Sequence, residues 1–464
     1  MTTKAKTYVL AKPENQLIIS LGIILGLAFA LASPSYIRLV IKLGHRIAQA
    51  DIVADYATAV GWAGVLGISI LFWPVRNEDK LHLLWAWLVK CVMCLFFLLY
   101  YENFFQSDSL GYYAVAKMDQ QFIRNLIDGK LVSGFSGRGL SVYKINILVF
   151  NYNRIVPDFL ADSYHSLKLT FSMVGFIALY LLFRASALLS QKRNWKFFWF
   201  LILFPSLLIY GSQVGKETPM LLFISFFTLG VVGWHCRRKA GYIVLGLLGL
   251  LLCTFVRPWL GGLFAPSLVV YFFLSSKGTP AKIIGVLTTG LLLLSSYNFL
   301  KYKLYITSLR DILDRLEFHR KNFYGGGSAI NPDVPKLSGI GDLVMQAPSS
   351  IFTALFRPLP FDVPSAVGFL SGMEGLLLVF LFFRAANRTQ IKELAEPLVA
   401  WALALVLCWA TVYGYVTQNF GTLVRYKVQD LPIFLGLLIY LGRSRSEDVE
   451  LNGSQALNSP TLKK

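Results

Sequence analysis

Five charged positions stand at the edges of apolar blocks, where a charge is costly unless it is paired or used. Asp108 lies in Ser107-Asp108-Ser109-Leu110-Gly111-Tyr112. Lys216, with Glu217 beside it, occupies the short turn Gly211-Ser212-Gln213-Val214-Gly215-Lys216-Glu217-Thr218-Pro219. Arg257 opens Arg257-Pro258-Trp259, Arg357 stands in Phe356-Arg357-Pro358-Leu359-Pro360, and Arg425 ends Asn419-Phe420-Gly421-Thr422-Leu423-Val424-Arg425. One carboxylate among several cations suits group transfer from a lipid diphosphate. Arginine grips phosphate through paired N–H groups, and fixed cations stabilise charge growing on the leaving group. The carboxylate can take the proton of an attacking sugar hydroxyl. Taken singly, each charge is explained as well by an interfacial anchor whose stem lies along apolar surface. It is the grouping that points to chemistry.

The elements that must position these residues are apolar. The chain has 464 residues, 55% of them hydrophobic and only 15% charged, with a mean hydropathy of +0.57. The apolar residues fall into continuous blocks of roughly 15–22, the length that crosses a hydrocarbon core. Backbone amides there must bond internally, and blocks that do not alternate are helices rather than strands. The expected fold is therefore an all-α, polytopic transmembrane bundle. Spans are expected near 16–33, 57–74, 82–101, 169–187, 197–211, 218–234, 241–256, 260–275, 282–298, 364–383, 398–416 and 431–442. No internal repeat is visible, so an inverted-repeat transporter gains no support.

The formal net charge is +19, and most of the basic residues lie in short loops: Lys192, Arg193 and Lys196; Arg237, Arg238 and Lys239; Lys277 and Lys282; Arg384, Arg388 and Lys392; Arg443 and Arg445. With the N-terminal Lys4, Lys6 and Lys12, these clusters alternate with the blocks as the positive-inside rule requires, putting both termini in the cytoplasm. The excess of charge is thus topological, and no nucleic-acid partner is implied. The chain divides into spans 1–3 (1-101), an outer loop with Asp108 (102-168), spans 4–9 (169-298), a second outer loop (299-363), spans 10–12 (364-442) and a cytoplasmic tail (443-464). Both long loops are expected to carry helices, the first interfacial and the second near 305–321. The run Gly325-Gly326-Gly327-Ser328 suits either a mobile cover or a plain hinge. All five charged sites then fall on one membrane face.

Other signals carry less. Gly215-Lys216 is not a phosphate loop, since Tyr210 replaces the first glycine and Glu217 the Ser/Thr. The stretch Gly134-Phe135-Ser136-Gly137-Arg138-Gly139 lacks a following dinucleotide-binding unit. Cys91 and Cys94 sit inside an expected span without His or acidic partners, so small apolar packing is the reading, as for Cys236, Cys253 and Cys408. Five scattered histidines give no ligand spacing. Glu374, inside a span, is expected to pair within the bundle. No cofactor is firmly implied, and a divalent cation has no ligand cluster to support it. The first block is expected to be a retained anchor rather than a cleaved signal.

Together with Phe204-Pro205-Ser206 and Leu431-Pro432, these short motifs in this order resemble the multi-span proteins of bacterial polysaccharide gene clusters over about 100–440. Those are the O-antigen or oligosaccharide-repeat polymerases and the wider GT-C type of lipid-linked-sugar glycosyltransferases. The resemblance implies a polyprenyl-diphosphate-linked glycan donor, a glycan acceptor and reaction on the outer face of the plasma (inner) membrane. It implies Asp108, Arg257 and Arg425 as catalytic residues, with Lys216, Glu217, Arg357, Tyr112 and Asn419 holding substrate and diphosphate. Asp108 is similar to the acidic residue that GT-C enzymes carry in an outer loop, and Tyr112 to the aromatic that follows it. Here the acidic loop follows the third span, not the first, and Ser109 takes the place of an adjacent second acid. An arginine-based, metal-free polymerase fits this inventory better than a metal-assisted mechanism. Rival readings are a flippase or transporter of the same lipid-linked glycans, and a non-catalytic membrane subunit that joins other polysaccharide-assembly proteins.

Overall fold

The computed structural model describes residues 13–43, 52–105, 107–118, 138–275, 308–322, 337–363, 365–417 and 419–444, with scattered positions between 283 and 301. Every element described is a helix. Seven are long and apolar enough to cross a membrane: Ser20–Val40, Ile52–Phe72, Asn77–Phe104, Tyr164–Ser190, Glu217–Arg237, Ala366–Arg388 and Pro397–Val416. That is the make-up of a multi-pass helical membrane protein. The chain forms two compact units, Met1–Gly233 with Lys239–Val256, and Trp234–Arg238 with Arg257–Lys464.

The first unit holds α1 (Pro13–Leu43), α2 (Ile52–Ser69), α3 (Asn77–Phe104, with a π-type widening at Met93–Phe97), α4 (Asp108–Met118), α5 (Arg138–Ile155), the single turn α6 (Asp158–Ala161), α7 (Tyr164–Ser190), α8 (Trp195–Leu203), α9 (Pro205–Tyr210), α10 (Glu217–Arg237) and α11 (Ala240–Val256). Its centre is α7, which packs against α2, α3 and α8. Ser163 caps α7 by accepting the Ser166 N–H at 3.0 Å, and Gln191 ends it in the left-handed region at φ 54°. A Cβ on Gly175 would collide with the Gly211 carbonyl. This glycine is what lets the turn after α9 lie directly on α7.

The block expected as one span over 197–211 is two helices. Proline at 205 cannot donate to the preceding turn and forces Phe204 into extended backbone. The short α9 then ends at Tyr210, where the last carbonyls of a helix need partners from outside it. Lys90 of α3 lies among them. Its ammonium is 3.3–3.4 Å from the carbonyls of Leu207, Leu208 and Gly211 and 3.0 Å from Ser212 Oγ.

The second unit holds α12 (Pro258–Ser275), α13 (Leu309–Asn322), α14 (Ile340–Phe356), α15 (Ala366–Arg388), the turn α16 (Ile391–Leu394), α17 (Pro397–Val416), α18 (Phe420–Lys427) and α19 (Leu431–Leu441). Here α17 is central and packs against α12, α14 and α19. The helix expected near 305–321 is α13. The apolar α14 lies in the stretch expected as an outer loop and packs on α17 instead. The expected span over 282–298 lies largely outside the described residues, and Gly325-Gly326-Gly327-Ser328 and the stretch Gly134–Gly137 lie wholly outside them.

Candidate functional site

In the first unit Asp108 is the first residue of α4 and is exposed. Ser107, just before it, accepts the Ser109 N–H at 3.3 Å, and the two hydroxyls are 3.0 Å apart. Tyr112 and Tyr113 turn inward and pack with Tyr164, Leu167 and Phe171 of α7, Val149 and Phe150 of α5, and Val214. The helix that carries Asp108 and the turn that carries Lys216 are therefore built into one apolar cluster. Lys216 is half-buried in that turn, and Glu217, the first residue of α10, is buried. Tyr112 is a core residue, 4% exposed, which makes it a support for α4.

The first unit also buries ionic groups that the motifs did not single out. Glu102, near the end of α3, accepts from Lys168 Nζ at 2.8 Å and from the Tyr164 hydroxyl at 2.7 Å. Both charged side chains are wholly buried. Ser109 lies within hydrogen-bonding reach of the same tyrosine, so the Asp108 segment is anchored to this pair. One turn further out, Asp55 accepts from the Ser163 hydroxyl and from the His165 N–H at 3.2 Å. Its second oxygen lies 3.6 Å from His165 Nδ1. A carboxylate at a helix N-terminus meets the positive end of the helix dipole.

In the second unit, Arg257 precedes α12 and is 2% exposed. Its Nη1 donates to the Tyr413 hydroxyl at 3.3 Å, and Trp259 Nε1 donates to the same oxygen at 3.1 Å. Tyr413 in turn donates to Gln429 Oε1 at 3.2 Å. The guanidinium lies 4.2 Å from the centre of the Tyr426 ring, and Trp409 stacks on Tyr413 at 4.8 Å. A buried cation framed by aromatic faces and a shared hydroxyl is held in one orientation.

No family model, no curated protein and no solved structure matches this chain.

The other candidates of this unit divide by role. Arg357 forms a bidentate pair with Asp362, Nε to Oδ2 at 2.9 Å and Nη2 to Oδ1 at 2.6 Å, and lies over the Phe420 ring at 4.8 Å. Burial works to raise the Asp362 carboxyl, but the Arg357 guanidinium and the Leu359 N–H it accepts overcome this and hold it below its ordinary value. The pair folds the Arg357-Pro358-Leu359-Pro360 segment, whose backbone lies so close to α15 that a Cβ on Gly375 would strike the Phe356 and Pro358 carbonyls. Asn419 is the N-cap of α18, accepting from the Thr422 N–H at 3.1 Å. Arg425 is half-buried on α18. Asp108 and Lys216 thus belong to one unit, and Arg257, Arg357 and Arg425 to the other.

Sequence reasoning passed over Tyr413, Lys427, Gln429 and Asp430. Lys427, 5% exposed, donates to the Arg357 carbonyl at 2.9 Å. Burial lowers its ammonium below the ordinary value, opposed by Glu374. Asp430 is 1% exposed, and its Oδ1 accepts no hydrogen bond among the described residues. Burial pushes its carboxyl up to about 8. The legible signal was the run Arg425-Tyr426-Lys427-Val428-Gln429-Asp430, unusually polar for a segment leading into an apolar helix. No group of three or more His, Cys, Asp or Glu side chains able to hold a metal stands together among the described residues.

Proposed function

We propose that this protein is a membrane glycosyltransferase of the polymerase-like kind. It transfers a glycan from a polyprenyl-diphosphate-linked donor to a glycan acceptor at the outer face of the plasma membrane. The observation that carries this reading is Arg257, a buried guanidinium set by Tyr413, Trp259 and Tyr426 where α12 begins and α17 ends. A lipid diphosphate presents its charge where an apolar tail ends, and a pre-oriented arginine at that level stabilises it as the bond breaks. Arg425, in the same unit, supplies further positive charge. The acceptor hydroxyl attacks the anomeric carbon, and the bond from that carbon to the diphosphate oxygen breaks. Polyprenyl diphosphate leaves with the electron pair, and the hydroxyl proton passes to water. Arg357 and Asn419 support the site by folding it. Twelve spans with both termini cytoplasmic belong to this reading.

A second reading, translocation of the same lipid-linked glycans, is favoured by one observation. Lys90, Asp55, Glu102 and Lys168 are charged groups inside or at the ends of apolar helices, the kind of group that lines transport paths. Purified protein in liposomes with a lipid-linked oligosaccharide separates the two. Elongation that Arg257→Ala and Arg425→Ala abolish, without loss of folded protein, supports the transferase. Normal elongation in both variants, or movement of the lipid across the bilayer without elongation, removes it.

A further inference from the structure

In the second unit α15 packs against α14 and α19, and its other face is uncovered. Phe369, Met373, Leu376, Phe380 and Phe383 are exposed there, and their spacing of four and three makes one stripe along the helix. Arg384 stands at the edge of the stripe, four residues after Phe380, and Arg388 one turn further on, where the helix ends. Both are exposed, and both reach to the end of α19: Arg384 Nε and Arg388 Nη1 donate to the Gly442 carbonyl at 3.0 and 3.2 Å. Arg443 follows, 3.9 Å from the centre of the Tyr440 ring. Three guanidinium groups thus gather where two apolar helices end. The acids nearby are engaged. Glu393 accepts from Arg443 Nη2 and from the Gln390 N–H, each at 2.9 Å, and Glu396 accepts from the Tyr440 hydroxyl at 2.8 Å. With Lys392, the segments 384–396 and 440–444 carry four cations against two acids. Among the described residues Arg384 bonds to Gly442 alone, so its two Nη nitrogens remain to grip two oxygens of one phosphate. We propose that this patch binds the phosphodiester of an anionic phospholipid, whose acyl chains lie along the α15 stripe.

Charge complementarity selects the occupant. The stripe takes hydrocarbon, and the helix end takes an anion at the level where hydrocarbon stops. An anionic phospholipid carries both in that order, and basic clusters at the ends of spanning helices attract such headgroups. A second protein helix would cover the stripe and leave the surplus cations, and a free phosphate would meet the cations and leave the stripe. Tyr440, beside Arg443, is an aromatic of the kind that settles at the interface. Arg384 and Arg388 have no part in the transfer proposed at Arg257, so the lipid site stands apart from that reading.

The test uses full-length protein in phosphatidylcholine nanodiscs with a trace of phosphatidylglycerol, or of phosphatidylethanolamine, that carries a photoreactive diazirine near the start of one acyl chain. Phosphatidylglycerol is expected to label residues 380–383 at least about fivefold more than phosphatidylethanolamine does, the enrichment that one arginine near the surface confers. Excess unlabelled phosphatidylglycerol removes this labelling, and glycerol 3-phosphate at the same concentration does not. Arg384→Gln lowers phosphatidylglycerol labelling by about fivefold and leaves phosphatidylethanolamine labelling unchanged, and Arg384→Lys restores most of it. Equal labelling by the two lipids in wild type overturns the proposal. So does displacement by glycerol 3-phosphate, which marks a site for free anions, or cross-linking to a second copy of the chain along the stripe. Unchanged phosphatidylglycerol labelling in folded Arg384→Gln overturns it as well. The comparison of lipids on wild-type protein decides the matter even if the variants misfold.

Discussion

Lys168 donates to Glu102 at 2.8 Å with both side chains wholly buried, and the Tyr164 hydroxyl occupies the other carboxylate oxygen. The end of α3 and the start of α7 are thereby joined by an ion pair whose charges have no access to water. Such a pair is costly to form, and its main consequence appears when one partner is lost, because the other is then an uncompensated buried charge.

The first prediction follows. Glu102→Leu and Lys168→Met each destabilise the protein by about 3–5 kcal/mol, whereas the double variant recovers much of the loss. Thermal unfolding in detergent micelles measures it. Additive losses in the double variant disprove a coupled pair.

Tyr413 tests the frame around Arg257. Tyr413→Phe removes the oxygen that the buried Arg257 and the half-buried Trp259 share, which costs about 1–3 kcal/mol in stability. Lipid-linked donor is then expected to bind more weakly, with KM raised more than kcat is lowered, because the guanidinium loses its orientation. Unchanged transfer kinetics in a folded Tyr413→Phe protein refute a positioning role.

Asp362 predicts an acid-side effect. Its folded carboxyl lies below the ordinary value, so it contributes stability above the unfolded value, and that stability is lost as pH falls through the folded one. Unfolding temperature measured from pH 7 downward is expected to drop more steeply in wild type than in Asp362→Asn, which starts lower and stays flatter. Parallel curves refute the pairing with Arg357 as the cause.

Asp430 predicts the opposite sign. Its folded carboxyl is raised to about 8. Its contribution is complete below the unfolded value of about 4 and drains away as pH climbs to about 8, where the slope ends. Asp430→Asn keeps the shape without the titration, so its margin over wild type widens across that window. A margin that stays constant from pH 5 to 9 contradicts a carboxyl raised by burial.

The helical bundle was legible from residues alone, because twenty or so continuous apolar residues leave the backbone no choice but to bond within itself. The blocks at 169–187 and 398–416 became α7 and α17, the first longer by several residues at each end and the second by Pro397 alone. Lys192 and Arg193 could be assigned to a loop for the same reason. What a linear pattern does not carry is distance between residues far apart in the chain. Glu102 and Lys168 are 66 positions apart, and Arg257 and Tyr413 are 156 apart; nothing in either neighbourhood announces its partner. Charge type therefore marked Arg257 and Arg357 alike as phosphate ligands. Only the tertiary structure separated them, by giving Arg357 to Asp362 and setting Arg257 among tyrosines, because the energy of a buried charge is decided by what surrounds it in space.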